Sequence, residues 1–238
     1  MTPYNAIVTG GTKGIGFGIA DALLQAGGKV MITGRDDAGV AKAIKQLEGN
    51  ARDGGRIIGR AVDVRQSAAV NQMVADAVKE FGSLNTLINN AGVGYFADVR
   101  ETSDADWSKV IDTNLTGVFY CSRAAIPPMK QAGGGWIINI ASLAGRNYFA
   151  KAAAYCASKA GLVAFSEALM LDVRNDNIRV SVVMPGSVAT DFSHPVGGRE
   201  NDSWKLTPED IAEVVMDLLR HPPRSLPSKV EIRPSRTS

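Results

Sequence analysis

The chain has 238 residues, 45% of them hydrophobic, and a formal net charge of +2. That length suits one domain with a single core, and the scattered, nearly cancelling charges offer neither a nucleic-acid stripe nor a membrane-binding face. Cys121 and Cys156 form no disulfide framework and no metal spacing, and with no basic leader before Ala6 and no long apolar stretch, an unprocessed, soluble, cytoplasmic protein without a metal site is expected.

Short β-branched runs alternate with longer helical patterns, which predicts strands at 6–9, 30–33, 56–62, 86–88, 136–141 and 179–183, with a last run at 229–233 closing the sheet. These runs are apolar on consecutive positions, as strands are when helices cover both faces of a parallel sheet. The fold class is therefore α/β, doubly wound. The first strand runs into Thr9-Gly10-Gly11-Thr12-Lys13-Gly14-Ile15-Gly16 and then a helix. Glycines allow the sharp turn and let a diphosphate approach amides at the helix start, where the dipole favours negative charge. The second strand ends Thr33-Gly34-Arg35, without the acid that hydrogen-bonds a ribose 2′-hydroxyl in NAD sites. Arg35, with Lys13, matches a 2′-phosphate instead, so NADP (NADPH) is expected over NAD. Asp36 and Asp37 fall where the next helix starts and claims them.

Asn114 sits inside a helical pattern over 110–129, where its amide lowers helix propensity for no packing gain. Ser142 lies just past strand 136–141, on the edge where open α/β sheets place ligands. Helix 152–169 carries Tyr155 and Lys159, whose four-residue spacing turns both polar tips to one side. A phenol loses its proton near pH ~10, and a nearby cation such as Lys159 is what would make it useful at neutral pH. The same helix is small or apolar on nearly every face, with Ala157, Ala160, Gly161, Leu162, Val163, Ala164, Phe165, Ala168 and Leu169, and 110–129 adds Val118, Phe119 and Ile126. Helices apolar all round are buried on both sides, so a second copy of the chain is expected over them, in a homotetramer or homodimer with Ala160 and Gly161 allowing close approach. The stretch 187–206, with Pro195 and Gly197-Gly198, reads as a mobile loop over the substrate.

Taken in order, Thr9-Gly-x-x-x-Gly14-Ile15-Gly16, Asn89-Asn90-Ala91-Gly92, Asn114, Ser142, Tyr155-x-x-x-Lys159 and Pro185-Gly186 span most of the chain, and the sequence resembles the short-chain dehydrogenases/reductases. The resemblance implies a Rossmann-type fold, residues 1–238 as one dinucleotide-binding and catalytic domain, and NADP-dependent reduction of a small-molecule ketone or aldehyde. It implies Tyr155 as proton donor, Lys159 lowering the tyrosine's pKa and binding the nicotinamide ribose, Ser142 polarising the carbonyl, and Asn114 distorting its helix and holding a proton-relaying water. Cofactor contacts are implied at Gly10, Thr12, Lys13, Gly14, Ile15, Gly16 and Arg35, at Asp63 and Val64 beside the adenine, at Asn90, Ala91 and Gly92 as a wall, at Tyr155 and Lys159, and at Pro185, Gly186, Val188 and Thr190 around the carboxamide. Tyr95, Phe96, Tyr148 and Phe149 suggest an apolar, partly aromatic substrate wall, with His194 and Arg199 as solvated loop residues. A narrower alternative is 3-oxoacyl carrier-protein reductase, with Lys130 and Arg174 docking an acidic carrier. The chain's ending Lys229-Val-Glu-Ile-Arg-Pro-Ser and the acid within Asn175-Asp176-Asn177 speak against it. A non-catalytic dinucleotide sensor fits poorly with the presence of Asn114, Ser142, Tyr155 and Lys159 together.

Overall fold

Strand β1 (Asn5–Val8) is buried at all four positions, and successive strand residues face opposite ways, so Ala6 and Val8 pack into one hydrophobic cluster and Ile7 into another. Those two clusters fill the two interfaces of a three-layer sandwich. The computed structural model describes residues 4–52, 54–192 and 202–236. Seven strands form one sheet in the order β3-β2-β1-β4-β5-β6-β7: β1, β2 (Lys29–Gly34), β3 (Arg56–Ala61), β4 (Thr86–Asn89), β5 (Gly135–Ile140), β6 (Ile178–Pro185) and β7 (Lys229–Ile232). Every pairing is parallel, with Ile7 opposite Met31 on one side and Leu87 on the other. This is a Rossmann-type doubly wound sheet, as the alternating pattern predicts.

One face carries α1 (Gly14–Gln25), α2 (Asp37–Leu47) and α7 (Pro208–Arg220) against β1, β2 and β5 through Ile19, Leu23, Leu47, Ile211 and Val215. The other carries α3 (Ser67–Phe81), α5 (Gly117–Gln131) and α6 (Ala153–Val173) through Met73, Phe81, Met129 and Leu169. Fully burying such a side chain contributes about 1.5–3 kcal/mol. Helix starts follow local chemistry: Asp36 caps α2 by accepting from Gly39 N at 2.8 Å, and Thr207 with Asp210 forms a capping box on α7. Asp36 is thus claimed by the helix, as expected.

The single helix expected over 110–129 is three pieces. Helix α4 (Asp104–Ile111) passes into a π-turn over Asp112–Thr116 and then into α5. The strand edges differ from expectation by one or two residues; β6 is longer, running from Ile178 through Pro185. Beyond it, Val188 bridges to Leu206, and Ala189 N donates to Leu206 O at 2.8 Å. The two ends of the expected substrate loop are therefore pinned together, while His194, Pro195, Gly197, Gly198 and Arg199 lie outside the described residues. Among the described residues no helix is long and apolar enough to cross a membrane, and Cys121 and Cys156 are buried free thiols.

Candidate active site

The sheet order reverses between β1 and β4, and their carboxyl ends frame a crevice. The turn out of β1 has Gly10 at φ +64 and Gly14 at φ +57, a backbone that side chains rarely adopt. A Cβ on Gly16 would stand 2.4 Å from both Gly10 O and Asn90 Nδ2, so the tight turn requires glycine there too. Asn90 locks the turn: its Nδ2 donates to Thr9 O and Gly10 O, each at 3.0 Å, and the Asn90 and Ala91 amides donate to Thr9 Oγ1. Its side chain is spent on the glycine turn, a role the sequence did not reveal. Helix α1 begins there with Lys13 as N-cap, with no side-chain cap and no acid in its first turn. Its amides are left to an outside acceptor, which is the donor set a diphosphate needs.

The remaining cofactor candidates border the same crevice. Thr12 packs where a Cβ on Gly34 would stand, and Arg35 follows exposed beyond the end of β2. Val64 is buried, and the Asp63 carboxylate is held below the usual range by hydrogen bonds from Arg65, Nε at 2.9 and 3.0 Å and Nη2 at 2.6 Å. Gly92 lies beside Asn114 Oδ1 and Lys159 Nζ, 3.3 and 3.8 Å from a Cβ built there. From β6, Pro185 ends the strand, Gly186 N donates to Ile232 O at 2.8 Å, and Thr190 reaches over the turn, with Cγ2 3.3 Å from the Cβ position of Gly14. Val188 anchors that segment through its bridge to Leu206, while Ile15 packs at the edge of the α1 cluster. These residues fit a dinucleotide: an uncapped helix start, a turn whose glycine positions tolerate no side chain, and an exposed guanidinium at the end of β2.

Helix α6 carries Tyr155 and Lys159 inward, 8% and 5% exposed. Lys159 Nζ donates to Ile140 O at 3.0 Å and lies 5.8 Å from the centroid of the Tyr155 ring, so the two tips share a side as their spacing predicts. Ser142 follows β5, accepts from Ala144 N at 3.1 Å as the cap of a short 3-10 turn, and also hydrogen-bonds the phenol of Tyr155. Burial pushes the Tyr155 phenol above its ordinary value, and the Ser142 hydrogen bond pulls it partly back. Burial also pushes the Lys159 amine down to about 8.

Asn114 is fully buried in the π-turn. Its Oδ1 accepts from Val93 N at 2.8 Å, and its Nδ2 donates to Val93 O at 2.9 Å and Ser158 Oγ at 3.0 Å. The helix is distorted as the resemblance implied, but the amide is spent on protein partners, so a relaying water would need the turn's backbone. Ser158, which sequence reasoning missed, donates in turn to Tyr155 O at 2.8 Å and couples Asn114 to the tyrosine's helix. A second missed set lies deeper: Asn89 Nδ2 donates to Asn139 Oδ1 and Ser122 Oγ, and Asn139 Nδ2 to Ser166 Oγ, stitching β4 and β5 to α5 and α6 beneath the site. Polar residues inside otherwise apolar strands and buried helix faces were the available signal.

The model of the short chain dehydrogenase family matches residues 4–201, and the chain belongs to the short-chain dehydrogenase/reductase family; it is an oxidoreductase of that family. A relative from Chlamydia muridarum, 3-oxoacyl-(acyl-carrier-protein) reductase FabG, is 34% identical over 90% of this chain and 88% of its own. An uncharacterized oxidoreductase of Staphylococcus saprophyticus is 33% identical over 96% of both chains. Among solved structures, a metagenomic short-chain oxidoreductase in complex with NADP matches at TM-score 0.85 and 32% identity over 100% of both chains. An alcohol dehydrogenase from Thermococcus sibiricus complexed with 5-hydroxy-NADP matches at TM-score 0.89 and 25% identity over 98% of this chain and 97% of that one.

Proposed function

We propose that the protein is an NADPH-dependent reductase of ketones or aldehydes in which Tyr155 donates the proton; the observation that carries this reading is Tyr155, Ser142 and Lys159 converging beside the glycine turn. The nicotinamide cofactor supplies the hydride. Tyr155, protonated at neutral pH, gives its proton to the carbonyl oxygen as negative charge develops there. Ser142 orients the phenol and offers a hydrogen bond to the same oxygen. Lys159 holds a positive charge against the Ile140 carbonyl, where it favours the phenolate left behind. Asn114 and Ser158 are positioning residues that hold α6 against the segment after β4.

Gly10, Thr12, Lys13, Gly14, Ile15 and Gly16 would hold the diphosphate, Asp63, Val64, Asn90, Ala91 and Gly92 the adenosine side, and Pro185, Gly186, Val188 and Thr190 the nicotinamide. Arg35 would select NADP, since Asp36 is committed to capping α2; the NADP complexes of two structural relatives support this. Residues 1–238 then act as one domain, with 187–206 as the substrate loop. The test is a ketone and aldehyde panel, including a β-ketoacyl thioester, followed at the reduced-nicotinamide absorbance with NADPH and NADH. No turnover of any member would overturn the reading.

The name of the Chlamydia relative favours a carrier-protein substrate as the second reading. Against it, Lys130 is tied to Asp176 at 2.7 Å, which neutralises one of the two cations expected to dock the carrier. The reading also includes a homo-oligomer built on α5 and α6, with a corrected surface. Val118 is buried inward, and a Cβ on Gly161 would meet Leu115 Cδ2 at 2.9 Å, so Gly161 faces its own π-turn. Phe119, Leu171, Ala157, Ala164 and Ala168 are the residues that face outward, and they supply the apolar area for a second copy.

A further inference from the structure

Eight large apolar side chains stand exposed among the described residues, and they form two groups. Trp107, Phe119 and Leu171 lie on α4, α5 and α6, whereas Phe96, Val99, Tyr148, Phe149 and Phe192 lie on the segments that follow β4, β5 and β6. Two of the second group converge on one side chain, and a third packs behind them. The Phe96 ring meets the Tyr155 ring with centroids 5.5 Å apart at 65°, and Phe192, from a different strand end, meets it at 5.8 Å and 51°. Phe149 packs on Phe96 at 6.0 Å and 32°. Gly94 makes room for the cluster, since a Cβ there would stand 2.9 Å from Phe96 Cε2 and 3.0 Å from Phe192 Cε1.

Tyr155 is 8% exposed, while Phe96, Phe149 and Phe192 remain 44%, 52% and 42% exposed. Folding has set two phenyl rings against the Tyr155 ring, with Phe149 extending the surface from Phe96, and left about half of each uncovered, a contiguous apolar surface of the kind that marks a binding site. None of the three offers a hydrogen-bonding atom. A substrate whose carbonyl oxygen reaches the Tyr155 hydroxyl must lay its substituents against these rings. Another flat ring can meet them face-to-edge or offset, which adds attraction beyond the area buried. A carboxylate or phosphate there would be desolvated against phenyl without a partner, which is costly.

We infer that Phe96, Phe149 and Phe192 form an aromatic clamp that selects uncharged carbonyl compounds bearing a flat aromatic ring beside the carbonyl. The inference rests on the carbonyl-reductase reading and names its substrate class. Acetophenone and cyclohexyl methyl ketone make a matched pair of nearly equal size, and the aryl carbonyl is the less electrophilic of the two, so a preference for it reports binding. With NADPH saturating, kcat/KM should favour acetophenone by about tenfold, the upper range of an aromatic pair. The Phe96→Leu/Phe149→Leu double variant should bring the ratio to about one, chiefly through KM. A single Phe192→Leu variant should move it in the same direction, and unchanged NADPH affinity checks that each variant is folded. A wild-type ratio at or below one, or a ratio that the variants leave unchanged, overturns the clamp. If neither ketone is reduced, calorimetry of acetophenone on the NADP-bound protein decides separately. Saturable binding lost in the double variant supports the clamp while the reductase reading fails; no binding overturns the clamp as well.

Discussion

Lys159→Met is expected to make the protein more stable at neutral pH while removing its activity. Lys159 is 5% exposed, and burial pushes its amine from 10.5 down to about 8. In the unfolded chain the amine keeps its ordinary value near ~10.4. Between about pH 8 and ~10.4 the unfolded state therefore binds more protons than the native state, and stability rises with pH across that window. Below about pH 8 the native protein carries the whole penalty: a fall from ~10.4 to about 8 at ~1.36 kcal/mol per pH unit, or about 3 kcal/mol. Methionine removes the charge and gives up the hydrogen bond to Ile140 O, which contributes about 1 kcal/mol. The balance is a gain of about 2 kcal/mol at pH 7, which for a chain of this size raises Tm by about 4–8 °C. The gain should fade as pH climbs through the window, because the native wild-type protein sheds the proton that burial penalises. Calorimetric melting of cofactor-free wild type and variant at pH 7 and pH 9.5 measures both quantities. A variant less stable than wild type at pH 7, or a difference independent of pH, refutes the reasoning.

Ser158→Ala should cost about 1–2 kcal/mol of stability by breaking the link between Asn114 and Tyr155 O, and should lower kcat more than it raises KM; denaturant melts and steady-state kinetics check the two parts. Arg35→Ala should weaken NADPH by about tenfold or more while leaving NADH nearly unchanged, since a charge-assisted contact contributes roughly 1.5–3 kcal/mol; titration calorimetry with both cofactors decides, and equal losses would remove Arg35 from the 2′-phosphate. Light scattering should show a dimer or tetramer at micromolar concentration, and Phe119→Glu/Leu171→Glu, both on exposed positions, should shift it toward monomer. A wild-type monomer would leave the outer faces of α5 and α6 unexplained.

Much of the site was legible because its chemistry is local in sequence. The glycine turn, the Tyr155–Lys159 spacing and the acid-free end of β2 each follow from a few adjacent residues, and the parallel sheet follows from consecutive apolar runs. What could not be read depends on contacts between distant segments. Asn90 ties itself to a turn some 80 positions earlier, and Ser158 acquires its role only because a π-turn brings Asn114 against it. Which residues α5 and α6 turn outward depends on packing for a similar reason. Composition shows that these helices are apolar all round, but the rotation that hides Val118, turns Gly161 toward Leu115 and exposes Phe119 is set by packing across the sheet and the π-turn. The direction of the Tyr155 shift was also beyond spacing alone, since it turns on burial.

The most direct measurement is NADPH oxidation by Tyr155→Phe with a ketone that the wild type reduces, alongside the dissociation constant for NADPH. Removing only the hydroxyl leaves the glycine turn, Arg35 and Lys159 in place, so affinity for the cofactor should stay within about twofold, while turnover falls by at least ~10²-fold, the scale for losing a positioned acid. Near-normal turnover in that variant would contradict Tyr155 as the proton donor.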